Sequence, residues 1–284
     1  MPLGVHTSIA GGLYKSVERA KALGCGCMQI FGRNPRSWIY KPLPAHEAGL
    51  FKAARNDAAL WPVAVHTNYL INLCSPDDEI YYKSIDIFQK ELSIAEAIGA
   101  DYLVTHLGSP QDMGPDFAVK RVGQALKEAA RGGLGVNTMI LLENTSGAGY
   151  GFGSNLLHIG EIIKGAARDG RETGLCLDTC HAFTAGYSFS TPAEVTGFLE
   201  KIDEAVGLEN LRVIHLNDSK GAFNSHLDRH EHIGKGKIGL EAFRLLLNHP
   251  GIRDTPMILE TPKKTDGDDP MNLAAVRGLL DGSL

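Results

Sequence analysis

The chain has 284 residues, of which 43% are hydrophobic, and it carries a formal charge of −5. This length can bury a large core, and no apolar stretch approaches the roughly 18 residues of a membrane-spanning helix. The N-terminal segment lacks the layout of a secretion signal, so we expect a cytoplasmic protein. The negative charge argues against a polyanionic partner, but three divalent ions would add six charges and bring the total to +1. The eleven histidines favour such metal binding.

Eight short apolar runs alternate with stretches that are long enough for helices. In chain order the runs are GVH ending at His6, MQIF at Phe31, VAVH at His66, YLVTH at His106, MILLE at Glu143, LCLD at Asp178, VIH at His215 and MILE at Glu260. Helical patterns lie at about 12–23, 45–59, 79–98, 115–131, 154–168, 191–206, 239–248 and 270–281. Such alternation predicts parallel strands joined by helical crossovers. Eight units need about 250 residues, so we expect one α/β domain over 1–284, a (β/α)8 TIM barrel.

Seven of these runs end in a side chain that can bind a metal, and the six clearest cases are those from His66 to Glu260. Parallel strands of a barrel end at the same face, so we expect the six side chains to converge there, at the active-site face. Turns and loops nearby add three more, and the whole set is His66, His106, Glu143, Asp178, His181, His215, Asp228, His230 and Glu260. Nine nitrogen and oxygen ligands suit two or three ions that share a carboxylate. Without metal, we expect the four crowded carboxylates to need raised pKa values.

The segments that carry these residues resemble the endonuclease IV family of apurinic/apyrimidinic endonucleases, also called the AP endonuclease type 2 family. The matching motifs are HTSIAGG, HTNYLIN, LENTSGAG, CLDTCHAFTAGY, HLNDSK, DRHEHIG and LETP, which together span almost the whole chain. The resemblance implies a TIM barrel with three zinc ions that cuts double-stranded DNA 5′ to an abasic site. We expect 3′-hydroxyl and 5′-deoxyribose phosphate ends, with additional trimming of blocked 3′ ends, from a monomeric enzyme.

The resemblance also implies how the nine residues divide among the ions. His66, His106 and Glu143 would hold one zinc ion, and Glu143 would be shared with a second ion. The second ion would add Asp178, His215 and Glu260, and the third would take His181, Asp228 and His230. Because Glu143 would lie between two ions, we expect this catalytic residue to orient the nucleophile. Manganese or iron are alternatives at carboxylate-rich positions.

Candidate DNA contacts follow the second and third strands and occupy the long segment 217–238. The resemblance favours Arg36 and Tyr69 as the side chains that fill the gap left by the missing base. The other predicted contacts are Arg33, Lys220, Arg229 and Lys235. Three positions depart from the family pattern, namely Ser37, Leu107 and Pro110.

Two other functions are compatible with the same residues. A sugar isomerase or epimerase can use a metal pair on this barrel, and a protein that stores metal or binds lesions needs no open coordination position. The third predicted group discriminates, because isomerisation needs at most two ions. His6, His226 and His232 are candidates for orienting the ligands. The five cysteines are an odd number and show no zinc-type spacing, so we interpret them as reduced packing residues.

Overall fold

The chain forms a closed barrel of eight parallel strands in the computed structural model, which describes residues 1–129, 136–170 and 172–283. The strands are β1 (Leu3–His6), β2 (Cys27–Phe31), β3 (Val63–His66), β4 (Tyr102–Thr105), β5 (Met139–Glu143), β6 (Thr173–Asp178), β7 (Leu211–His215), β8 (Asp218–Ser219), β9 (His230–Glu231) and β10 (Met257–Leu259). All except β8 and β9 belong to the barrel, in which β1 pairs with both β2 and β10. The predicted (β/α)8 TIM barrel is confirmed, and each of the eight apolar runs is a barrel strand.

Helices surround the barrel close to their predicted positions. They are α1 (Leu13–Ala22), α2 (Ala45–Ala58), α3 (Asp78–Ile98), α4 (Pro115–Ala129), α5 (Leu156–Arg168), α6 (Thr179–Thr184), α7 (Pro192–Val206), α8 (Leu240–Leu247) and α9 (Asp268–Asp281). The predicted end of the fourth helix, at 130–131, lies outside the described residues. Helix α6 was not predicted, because six residues are too short to display a helical period. None of the helices in the described part of the chain has the length and apolar character needed to cross a bilayer.

The barrel interior is built in two layers. Seven fully buried side chains form an apolar lower layer, namely Cys27, Ala64, Val104, Leu141, Cys176, Val213 and Ile258. Side chains of a strand alternate between its two faces, so the residue two positions further along faces the interior again. These residues form the upper layer, which consists of Gln29, His66, His106, Glu143, Asp178, His215 and Glu260. The alternation therefore places the polar side chains of the upper layer directly on the apolar side chains of the lower layer. All five cysteines are buried and free, as the predicted packing role requires.

Residues 217–238 connect β7 to α8 and contain the antiparallel pair of β8 and β9. The buried carboxylate of Asp218 holds this connection against the barrel. Its oxygens accept hydrogen bonds from the backbone N–H groups of Gly236 at 2.9 Å and Ile238 at 3.0 Å. A Cβ atom at position 236 would lie 2.4 Å from Asp218 Oδ1, so only glycine permits this approach. The segment 217–238 thus contains a short antiparallel ribbon, and Asp218 fixes the course of the chain from this ribbon to α8.

Candidate metal centre

The nine predicted side chains lie together at the carboxyl ends of the strands. Their ligand atoms form four groups within which all atoms lie within 4.8 Å of one another, namely His66, His106 and Glu143, then Glu143, Asp178, His215 and Glu260, then Asp178, His181 and His230, then Asp228 and His230 with Cys180. The first two groups have the predicted membership. In the third group Asp178 replaces the predicted Asp228, which is 53% exposed. Asp228 nevertheless stays close, since its Oδ1 lies 3.2 Å from His181 Nε2 and 3.7 Å from His230 Nε2.

Glu143 lies between the first two groups. Its Oε2 is 2.9 Å from His66 Nε2 and 3.6 Å from His106 Nε2. Its Oε1 faces the other way and lies 3.1 Å from His215 Nδ1. The Glu143 carboxylate is 1% exposed, so its two oxygens contact these ligand groups and not solvent. A carboxylate in this position can bridge two cations.

Three of the histidines are fixed in the tautomer that a metal ligand needs. In each ring Nδ1 lies within hydrogen-bond distance of a backbone carbonyl oxygen, in the pairs His66 with Thr67 at 2.8 Å, His181 with Asn144 at 2.9 Å and His230 with Glu260 at 3.1 Å. A carbonyl oxygen only accepts, so the proton must be on Nδ1. The Nε2 lone pair of each neutral ring therefore points into the cluster, as a metal ligand requires.

Two buried imidazole nitrogens support the fit to metal ions. Within the described residues, His106 Nδ1 and His230 Nε2 have no hydrogen-bond partner. His230 Nε2 faces oxygen atoms of Asp178 at 3.5 Å and of Asp228 at 3.7 Å. A buried polar atom without a partner costs about 1–3 kcal/mol, and a cation between nitrogen and carboxylate would remove that cost. A set of five imidazoles and four carboxylates is the donor chemistry that zinc accepts.

The electrostatics of the cluster favour positive charge. Burial has the largest influence on His181 and acts to lower its pKa, but Asp178, Asp228 and Glu143 together raise the pKa to about 10. Burial acts to raise the pKa of Glu143, yet His106 and His215 hold that pKa well below its usual range. The expectation that the carboxylates need raised pKa values without metal was wrong for Glu143, Glu260 and Asp228, because neighbouring imidazoles hold each pKa below its usual range. Protons or divalent ions can supply the positive charge that the site demands.

The sequence matches the family model described as xylose isomerase-like TIM barrel over residues 17–279. It is 42% identical over 281 residues to a probable endonuclease 4 of Chloroflexus aurantiacus, a match that covers 99% of this chain and 98% of the relative. The crystal structure of endonuclease IV from Thermus thermophilus superposes with a TM-score of 0.87 at 34% identity and covers 99% of this chain and 100% of that chain. The chain belongs to the endonuclease IV family. A D-tagatose 3-epimerase-like protein shares the fold alone, with a TM-score of 0.73 at 19% identity over 99% of this chain and 97% of that chain.

In this member of the endonuclease IV family, Tyr69 and Arg36 are both exposed, and Tyr69 lies beside the metal-type cluster. The Tyr69 ring is 58% exposed and lies 6.5 Å from the His66 ring. Its backbone N–H donates to Pro35 O at 3.0 Å, which joins the loop after β3 to the loop after β2. Both loops line a groove of about 470 Å³, which also exposes residues that the sequence did not single out, namely Ser8, Asn34 and Lys263.

Arg33 forms an ion pair within the protein, and its predicted contact with DNA stays a prediction. Its Nε donates to Glu91 Oε1 at 2.8 Å, and its Nη1 donates to Ser37 O at 2.7 Å. Because the Glu91 carboxylate is 1% exposed, it requires a charged partner, and Arg33 provides it. The guanidinium thereby supports the loop that carries Arg36. The other predicted contacts are exposed, and their role in binding DNA stays a prediction for Lys220, Arg229 and Lys235.

Gln29 is the residue of the upper layer that the sequence analysis missed. For strand β2 the sequence pattern drew attention only to the last residue, Phe31, whereas the residue that faces the barrel interior is Gln29, two positions earlier. Counting two residues from Cys27 along the strand would have found it. Of the three histidines named as orienting candidates, His6 contacts a predicted ligand, with Nδ1 at 3.1 Å from Glu260 Oε1. The others have partners elsewhere, namely Ser146 O for His226 and Asn272 for His232.

Proposed function

We propose that this chain is a zinc-dependent endodeoxyribonuclease that hydrolyses the phosphodiester 5′ to an abasic site in double-stranded DNA. The products would be a 3′-hydroxyl and a 5′-deoxyribose phosphate, and the same site would trim blocked 3′ ends. We further propose that residues 1–284 act as a single catalytic domain, as a monomer in the cytoplasm. The observation that carries the proposal is the convergence of nine metal-type side chains in a member of the endonuclease IV family.

The nine side chains would hold three ions. His66, His106 and Glu143 would bind the first, and Glu143, Asp178, His215 and Glu260 the second. His181, Asp228 and His230 would bind the third, with Asp178 close enough to take part. Zinc, when bound, supplies Lewis acidity that polarises a phosphate and makes water acidic near neutral pH. Three such ions suit a phosphodiester, whose hydrolysis develops negative charge on several oxygens.

Glu143 would orient the attacking nucleophile. Its two oxygens face different groups of ligands, and its burial fixes the carboxylate in one position. A nucleophile held beside it would be aimed at the phosphorus from one direction, which is what in-line displacement requires. The exposed Asp228 side of the cluster leaves room for the leaving 3′-oxygen.

The groove beside the cluster would receive the lesion. An abasic nucleotide leaves a gap in the base stack, so rotating its sugar out of the helix costs less than flipping a normal nucleotide. Tyr69 lines this groove and Arg36 is exposed directly after Pro35, which also lines it, and both side chains would occupy the gap. Sugar and phosphate would then lie against Glu260 and His230, which line the same groove.

The activity is tested by incubating the purified protein with a duplex that contains one abasic site, a matched intact duplex, and a ketose such as D-tagatose. We expect cleavage of the abasic duplex alone, with the product ends identified by mass spectrometry. Epimerised sugar without DNA cleavage would favour the isomerase alternative. Tight binding of the abasic duplex without cleavage in the presence of zinc would favour a lesion-binding protein.

Replacing Tyr69 by alanine should weaken recognition of the lesion more than the chemical step. Loss of an aromatic contact to nucleic acid costs about 1–3 kcal/mol, so we expect KM to rise about 5-fold to 160-fold with little change in kcat. The matched control is Tyr82→Ala, because Tyr82 is 56% exposed on α3 and does not line the groove. Equal KM values for Tyr69→Ala and Tyr82→Ala on abasic DNA would remove Tyr69 from lesion recognition.

A further inference from the structure

Gln29 occupies the place on β2 that metal-type side chains occupy on the neighbouring strands of the upper layer. It is fully buried, and its amide lies beside His215 and Glu260 of the second group of ligands. Its carboxamide has no charge and cannot titrate. What it can do is donate and accept hydrogen bonds in fixed directions.

The amide oxygen of Gln29 determines which nitrogen of His215 carries the proton. Gln29 Oε1 lies 2.9 Å from His215 Nε2. Because an amide oxygen only accepts, His215 must be protonated on Nε2. In the neutral ring the lone pair is then on Nδ1, which faces Glu143 Oε1 at 3.1 Å and Glu260 Oε2 at 3.3 Å. His215 thus presents the opposite nitrogen from His66, His181 and His230.

The amide nitrogen of Gln29 fixes both its own orientation and that of Glu260. Gln29 Nε2 donates to Glu260 Oε1 at 2.6 Å, which leaves Glu260 Oε2 directed at His215. Exchanging the amide oxygen and nitrogen would set two acceptors, Gln29 Oε1 and Glu260 Oε1, against each other. The carboxylate therefore selects the amide orientation, and the amide oxygen in turn selects the tautomer of His215.

We propose that Gln29 is a positioning residue for the second ion, because it presents His215 Nδ1 and Glu260 Oε2 to the same point. The inference rests on the proposed function, since it assumes that this group binds a metal. Gln29 acts through His215 and Glu260 and does not need to touch the substrate. Groups that orient metal ligands in this way change metal affinity by about 10-fold to 100-fold when they are removed.

The test is the substitution Gln29→Met, which keeps the length of the side chain and removes its hydrogen bonds to His215, Glu260 and His6. We expect zinc analysis during titration with a chelator to show one of three ions bound about 10-fold to 100-fold more weakly, with the other two unchanged. The matched control is Gln89→Met, because Gln89 donates to Glu128 O between α3 and α4, away from the cluster. Thermal unfolding of both variants establishes that they fold.

A second measurement reports which nitrogen of the His215 imidazole carries the proton. Long-range ¹H–¹⁵N spectra of the zinc-loaded protein should show His215 protonated on Nε2 in the wild type, and a loss or broadening of that signal in Gln29→Met. The substitution Gln29→Glu should keep the Nε2 proton, because a carboxylate also accepts, but should still weaken the ion since it repels Glu260. If Gln29 served only to fill space, Gln29→Met would change neither the zinc affinity nor the His215 signal.

The outcomes separate this inference from the proposed function. Three tightly bound ions and an unchanged His215 signal in Gln29→Met would overturn the positioning role while leaving the nuclease proposal intact. A wild-type protein that binds no zinc would overturn the proposed function and this inference with it.

Discussion

Removal of metal by a chelator should abolish cleavage of abasic DNA and lower the melting temperature by about 10 °C or more. An ion present at 1,000 times its Kd stabilises the folded state by about 4 kcal/mol, and three ions would act together. The expected loss of stability has a local cause. Glu143 belongs to the first and second groups of ligands, Asp178 belongs to the second and third, and both carboxylates are buried. Differential scanning calorimetry and a gel assay of the abasic duplex measure the two effects on the same sample.

Replacement of the ions provides the control for this experiment. Zinc added back in stoichiometric amounts should restore activity and melting temperature together, whereas magnesium should restore neither, because it prefers oxygen ligands to imidazoles. Full activity after complete removal of metal would exclude a metal-centred reaction. Restoration by manganese alone would retain the site but replace zinc as its ion.

The substitution Glu143→Gln should reduce kcat by about 1,000-fold or more. Glutamine removes the negative charge between the first two groups and turns an N–H₂ group toward either His66 or His215. An amide also bridges two cations poorly, because only its oxygen accepts. The measurement is single-turnover cleavage of the abasic duplex, together with the zinc content of the variant.

Glu161→Gln is a matched control for this substitution, because Glu161 is exposed on α5 and lies outside the cluster. We expect it to keep wild-type turnover and three ions. Near-normal turnover of Glu143→Gln with its full metal content would remove Glu143 from the mechanism. A variant that loses one ion and its activity together would support the bridging role.

The fold could be predicted because each strand is a compact apolar run with a helix-length segment after it. Strands buried on both faces leave a continuous apolar signal, as in LCLD, and the crossover rule supplies the parallel order. The helix α6 could not be predicted, because its six residues are too few to show a helical period, although a capping residue precedes it. Asp178 ends β6 and at the same time accepts a hydrogen bond from His181 N at 2.8 Å, which caps the short helix.

The members of the site were visible in sequence because ionisable side chains interrupt apolar runs. Their partners were not visible. Gln29 lies inside an apolar run and is neutral, so composition gave no reason to select it. Arg33 lies in a loop whose polar sequence suggests exposure, yet it forms an ion pair with Glu91. Glu91 is 58 positions away in the chain, and only the packing of α3 brings the two side chains together. The role of a side chain in orienting others depends on such long-range contacts, which a single sequence does not report.

The ribbon of β8 and β9 adds no strand to the barrel, yet the segment 217–238 supplies both Asp228 and His230. The first two groups take all their ligands from the ends of barrel strands, whereas the third combines Asp178 and His181 of the barrel with residues of this segment, which Asp218 anchors. The proposed third ion therefore depends on the segment, and the other two proposed ions depend on the barrel alone. Shortening the segment should leave a protein that binds two of the three proposed ions.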